Sequence, residues 1–169
     1  MTHLPTIPRR YLLRSIAGTP DVIDELLHEI DEDHPVWDRQ IEPDRFTLRE
    51  VIAHLADWEA IWLERISRIH DEEEPVLPDY DEGQFAIDHD YAHSDPSETL
   101  EKLRAGRDEL VTYIGHLPQE SWVRIGHKDG NIWTIEAWIV QICAHDGYHT
   151  QQIAEWLTRD REIGYAARD

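Results

Sequence analysis

Apolar residues recur along the chain at the three- and four-residue spacing of one helix face, in four stretches parted by polar segments containing Pro or Gly. The first stretch is "TPDVIDELLHEI", where Thr19 is placed to cap and Pro20 to occupy the first helical position, with Val22, Ile23, Leu26, Leu27 and Ile30 facing inward. The second, "FTLREVIAHLADWEAIWLERI", opens with the Thr47/Glu50 pair of a capping box, and Phe46 is placed to staple onto Val51. The third, "DPSETLEKLRAGRDELVTYIGHL", has Asp95 as cap, Pro96 in first position and Glu98 at the capping-box position. Its apolar stripe is Leu100, Leu103, Leu110, Val111, Ile114 and Leu117, and Gly115 and Pro118 mark its end. The fourth begins at "WTIEAWIVQI" with Thr134 as cap and Trp133 stapled to Trp138, and extends to about Thr158.

No stretch alternates apolar and polar residues long enough to require a sheet. The expected fold is therefore all-α, a four-helix bundle around one core, in a single domain spanning residues 1–169. The connection "DEEEPVLPDYDEGQFAIDHDYAHS" between the second and third helices is too long for an antiparallel hairpin. It predicts a crossover between parallel helices. The segments "HPVWDRQIEPDR" and "PQESWVRIGHKDGN" are also long for bundle loops and predict short helical turns around Trp37 and Trp122.

Composition narrows the partners. With 16 Lys+Arg against 36 Asp+Glu the chain carries a net charge of −20, which repels phosphate backbones and anionic lipid surfaces. The single cysteine, Cys143, excludes an internal disulfide and reads as a small packed thiol. The N-terminal sequence lacks the apolar run of a signal peptide, so the expected location is the cytoplasm.

Two histidines interrupt the apolar stripe of the fourth helix, in "CAHDGYHTQQI". At about 100° per residue, His149 lies near the middle of the face defined by Ile135, Ile139, Ile142 and Ile153, and His145 lies at its edge. One helical turn separates them, the spacing at which two imidazoles converge on one ion. His54, in "IAHLADWE", borders the stripe of the second helix formed by Val51, Leu55, Trp62 and Ile66 and is the third candidate ligand. Set against this is the ordinary reading of buried histidines that bond a carbonyl or a core acid. Gln152 shares the face of His145 and His149 and is either a residue that holds water or substrate or a polar edge residue. Asp57, Glu59 and Asp146 are the nearest acids in sequence, with Asp146 placed to accept from an imidazole or pair with an arginine. Trp58 and Tyr148 are expected to line a pocket between the second and fourth helices. A competing pair, His89 and His93, lies in the crossover, where no periodicity places both on one face.

The segments "FTLREVIAHLADWE" and "AHDGYHTQQIAEWL", with their order and the long connection between helices two and three, resemble the DinB/YfiT-like superfamily of four-helix metal-binding proteins. The resemblance covers nearly the whole chain and implies a divalent ion, zinc or nickel, on His54, His145 and His149, with a position left open for water or a cofactor thiol. It implies a metal-dependent enzyme acting on a small molecule, first a transferase joining a low-molecular-weight thiol of the bacillithiol or mycothiol type to an electrophile. The alternatives are a metal-dependent hydrolase, and a stress-related binding module whose metal is structural. In the enzyme readings the nucleophile is carried by the metal, with possible assistance from Gln152. The resemblance also implies a homodimer. The charge balance predicts no tight binding to nucleic acid at physiological salt, and a gel shift with duplex DNA should show no salt-sensitive complex.

Overall fold

In the computed structural model, which describes residues 6–166, five α-helices account for most of the chain. They are α1 (Thr6–Leu27), α2 (Leu48–Asp71), α3 (Glu82–Asp88), α4 (Pro96–His116) and α5 (Ile135–Ala166). The four long ones, α1, α2, α4 and α5, form the expected bundle. Contacts Asp57–Lys102, Glu59–Arg107 and His70–Tyr113 advance together along α2 and α4, so these helices run parallel and residues 72–95 cross over between them. Among the described residues no helix is long and apolar enough to cross a membrane.

The caps of α2 and α4 form as their sequences predict. The Thr47 backbone N–H donates to Glu50 Oε2 at 2.8 Å, and the Asp95 side chain accepts from the Glu98 N–H at 2.9 Å. Thr134 Oγ1 accepts from the Ala137 N–H at 3.0 Å, and Trp133 stacks on Trp138 at 4.3 Å. The 3₁₀ turns expected around Trp37 and Trp122 occupy Pro35–Asp38 and Gln119–Val123. α5 continues past Thr158, because no proline or positive-φ residue stops it before Ala166.

The first helix departs from expectation. Thr19 and Pro20 lie within α1 rather than at its start, because Leu12 and Ile16 extend the stripe of Ile23 and Leu27 toward the N-terminus. Thr19 is no cap: its hydroxyl donates to Asp146 Oδ2 at 2.7 Å on α5. Val22, expected inside, is exposed. Pro20 has no N–H for the carbonyl of Ile16 four residues earlier, and Arg107 of α4 takes that carbonyl instead, with Nη1 donating at 2.6 Å.

A second departure is a short hairpin of β1 (Ile125–Lys128) and β2 (Asn131–Thr134) leading into α5. Asp129 (φ 51°) and Gly130 (φ 73°) both sit at positive φ, as a two-residue type I′ turn requires. Strands of four residues are too short for alternation to reveal, and "DG" was their one signal. Pro75 and Leu77 of the crossover bond His127 of β1, at 2.8 Å each, which fixes the crossover to this hairpin.

The buried apolar residues fall into two clusters. One holds Ile61, Trp62, Ile66, Leu110, Trp138 and Ile142, and the other Ile23, Val51, Leu55, Leu103, Ile153 and Trp156. Between them lies a polar layer centred on Arg107, which is 1% exposed. Its guanidinium donates through Nε and Nη2 to Glu59 (2.9 and 2.6 Å), through Nη1 and Nη2 to Asp146 (2.5 and 3.0 Å), and to the Ile16 carbonyl. All four bundle helices meet at this one side chain. Burial opposes charge on Arg107, but the two carboxylates raise its pKa; burial, offset in part by Arg107, holds Glu59 above the usual carboxylate range. Arg107 lies on the stripe of Leu103, Leu110 and Ile114, and the preceding Gly106 lets α4 approach α2, since a Cβ there would stand 2.7 Å from Glu59 Cβ. Replacing Arg107 by Met should leave two buried carboxylates without their cation and cost about 3–5 kcal/mol in urea denaturation, with Glu59→Gln in the same chain recovering part of the loss.

Candidate metal centre

His54 on α2 and His145 and His149 on α5 come together at the edge of the polar layer. One ring nitrogen from each lies within 4.8 Å of the others, and among the described residues this is the one such group of three or more histidines, cysteines and acids. Two features of α5 direct the pair inward. The apolar stripe of Ile135, Ile139, Ile142, Ile153 and Trp156 sets the buried face, and the Asp146–Arg107 pair pins that face in rotation between the two histidines. On α2, His54 is 1% exposed and packs against Trp58, ring to ring at 4.3 Å.

His54 Nε2 and His145 Nε2 face each other at 2.9 Å, a separation at which two bare lone pairs repel unless a proton or a cation lies between them. The Nδ1 atoms of both rings are buried without a hydrogen-bond partner. His149 differs: its Nδ1 donates to Gln152 Oε1 at 2.9 Å, which leaves its Nε2 as a bare acceptor. Burial, and after it repulsion from His149, lowers the pKa of His54 to about 3; burial and repulsion from both partners lower that of His145 to about 2. His149 is lowered as well, chiefly by burial. The three imidazoles are therefore neutral near pH 7, the protonation state in which imidazole ligates a metal. Three neutral imidazoles, two buried and one half-buried, with one tautomer already fixed, fit a divalent ion.

The acids nearest in sequence are engaged elsewhere. Asp57 pairs with Lys102 and with His89 Nδ1, while Glu59 and Asp146 bind Arg107. The competing pair is not brought together either, since His89 turns to Asp57 and His93 Nδ1 to Asp90 at 2.7 Å. Cys143 is half-buried and 3.9 Å from the Leu12 carbonyl, and burial foremost raises its pKa, in keeping with packing.

A cleft of about 560 Å³ opens onto the histidines. His145, Tyr148, His149 and Gln152 line one side, and Arg45, Phe46 and Glu82 stand among the residues of the other. Tyr148 lines it as expected. Trp58 and His54 lie behind this lining, with Trp58 covered by Phe85 of α3 at 5.6 Å. The walls supplied by the loop before α2 and by the start of α3 carried no sequence signal, because neither segment has a periodic pattern.

The sequence profile of the DinB superfamily matches residues 16–153. Three solved structures share the fold. YfiT from Bacillus subtilis, described as a probable metal-dependent hydrolase with an unusual four-helix bundle topology, superposes with a TM-score of 0.86 at 20% identity, over 97% of this chain and 92% of its own. A protein from Streptococcus pneumoniae (TM-score 0.66, 16% identity) covers 94% of this chain and 93% of its own. An uncharacterized protein from Clostridium difficile 630 (0.66, 18%) covers 87% of this chain and 94% of its own. No curated protein matches. A profile match running from the middle of α1 into α5 and a bundle with parallel α2 and α4 lead to one conclusion: the chain belongs to the DinB superfamily.

Proposed function

We propose that this protein is a divalent-metal-dependent enzyme whose ion is held by His54, His145 and His149 and whose small-molecule substrate enters the cleft between α5, the loop before α2 and the start of α3. The observation that carries this reading is the convergence of three neutral imidazoles on the edge of a cleft while Asp57, Glu59 and Asp146 are held by other partners. Three protein ligands with, among the described residues, no fourth to close the site is the pattern of a catalytic rather than a structural centre. The nitrogen donors suit zinc or nickel. Such an ion supplies Lewis-acid polarisation and draws a nucleophile from water or a thiol at neutral pH. Gln152 keeps the His149 ring in the ligating tautomer.

Hydrolysis is the reaction assigned first. The cleft opens to bulk water past Glu82 and Tyr148, which is 56% exposed, whereas a transferase must keep water from competing with its thiol. The likeness to a structure described as a probable metal-dependent hydrolase accords with this choice. Transfer from a low-molecular-weight thiol is the second reading. The acidic side chains of Asp44 and Glu82 on the cleft wall favour it, because they suit the amine carried by an aminosugar thiol.

Purified protein should carry about one equivalent of metal, and His54→Ala, His145→Ala and His149→Ala should each lose most of it, while His89→Ala and His93→Ala keep it. Elemental analysis reads this directly, and full metal content in all three site variants would sink the proposal. Metal-dependent release of nitrophenol from an ester or phosphate ester supports hydrolysis. Conjugation of an aryl halide that requires both metal and bacillithiol or mycothiol replaces it with thiol transfer.

The lowered histidine pKa values also set a pH dependence. In the unfolded chain these groups take up protons below about pH 6.5, whereas in the fold His54 and His145 stay neutral down to about 3 and about 2. The metal-free protein should therefore lose stability as pH falls from about 6.5 toward 4. His54 and His145 each contribute a slope of up to about 1.4 kcal/mol per pH unit. Urea midpoints measured across that range should fall less steeply in His54→Leu than in the parent.

A further inference from the structure

Gln152 is 4% exposed and lines the cleft. A primary amide has one acceptor end and one donor end, and the acceptor end, Oε1, is occupied by the Nδ1–H of His149. Its Nε2–H₂ therefore stands at the opposite end of the amide, and among the described residues no acceptor meets it. One turn earlier on the same face, Tyr148 has the complementary arrangement. Its Oη accepts from Arg45 Nη2 at 2.8 Å, so the phenolic proton must point away from the guanidinium, and it too has no acceptor among the described residues.

Arg45 is itself held by Glu42 at 3.1 Å and by stacking on Trp156 at 4.6 Å, and together with the edge-to-face contact of the Tyr148 ring on His149 at 4.9 Å it orients the half-exposed phenol. A hydroxyl whose oxygen already accepts from a guanidinium is also polarised into a stronger donor. Two oriented donors, neither needed to complete the fold, thus stand at positions i and i+4 beside His145 and His149 on the wall of one cleft.

We propose that Tyr148 Oη–H and Gln152 Nε2–H₂ form a two-donor pocket for a substrate oxygen that gathers negative charge during reaction, which makes the substrates of this site carbonyl or phosphoryl compounds. The inference rests on the metal-dependent reading above and specifies what the cleft binds. For an ester, addition of water to the acyl carbon moves the C=O π pair onto the carbonyl oxygen, between the donors, which keep their own protons. When that pair returns, the bond to the leaving alkoxide breaks and the alcohol departs with the proton from water, so ester and water become acid and alcohol. Donors fixed in advance act where the charge develops, and removing one from a site of this kind costs about 100- to 1,000-fold in rate.

The probe is acetohydroxamate, a carbonyl-derived oxyanion, titrated calorimetrically into the metal-loaded protein, with imidazole as a metal ligand that offers no oxygen to the donors. Tyr148→Phe removes only the hydroxyl. Gln152→Glu keeps an acceptor for His149 but removes the amide donor. Each variant should retain full metal and its imidazole affinity, and bind acetohydroxamate at least about 10-fold more weakly than the parent. Charge repulsion contributes to the Gln152→Glu value, so the uncharged Tyr148→Phe change decides the test. Acetohydroxamate affinity in Tyr148→Phe within twofold of the parent, or no binding by the loaded parent protein, overturns the donor pocket while the metal centre stands. A parent protein that takes up no metal overturns both, and elemental analysis tells that case from the others.

Discussion

A single buried arginine organises this fold. Arg107 reaches from α4 to carboxylates on α2 and α5 and to a carbonyl on α1 that Pro20 leaves without its helical partner. A guanidinium can satisfy three helices at once because its donors are planar and fan outward, and every donor that it fails to place inside the core carries a desolvation cost. The same demand constrains the partners. Asp146 must face the centre of the bundle to meet Arg107 and the Thr19 hydroxyl, and that sets the rotation of α5. His145 and His149, one residue before and three after, then have no choice of direction. The geometry of the candidate metal centre is in this sense a consequence of the ion cluster beside it.

The arrangement divides the core. Aliphatic and aromatic side chains fill the two ends of the bundle, and the middle layer holds an arginine, two acids and three histidines. Burying such groups is unfavourable unless each is paired. Glu59 and Asp146 both pair with Arg107, whereas the His54 and His145 rings retain buried Nδ1 atoms without partners. An apolar layer here would have been simpler to stabilise. The unbalanced part of the layer is the part that borders the cleft, where a cation would offset the repulsion between the facing nitrogens of His54 and His145.

The parallel course of α2 and α4 gives the cleft its other wall. Because the chain must travel the length of the bundle to begin α4 beside α2, it carries α3 across the α2–α5 face, where Phe85 covers Trp58 and Glu82 reaches the cleft. The anchoring of this segment is polar at one end, through Asp57 and His89, and backbone-paired at the other, through Pro75, Leu77 and His127. The crossover thus serves as more than a connection: it supplies one wall of a site that α2 and α5 would otherwise leave on an open face.

Much of this was legible in the order of residues. Capping pairs at Thr47/Glu50 and Asp95/Glu98, the stripes of α2, α4 and α5, and the histidines on those stripes are local signals, and local signals survive without knowledge of neighbours. Thr19–Pro20 has the local form of a helix start, yet it lies inside α1. Only Asp146 and Arg107, more than eighty residues away, supply the partners that let those two residues sit inside a helix. The hairpin escaped because four-residue strands carry no measurable period. Arg107 stood on an apolar stripe in plain view, yet a charged residue there has meaning only once two carboxylates are known to face it. The sequence by itself determined the buried faces of α2, α4 and α5 and placed His149 on one of them, with His145 and His54 at their borders. Tertiary structure alone decided that these rings meet, that Asp57, Glu59 and Asp146 pair elsewhere, and that Tyr148 and Gln152 line the cleft, because pairing between helices depends on rotation and register that no single helix encodes.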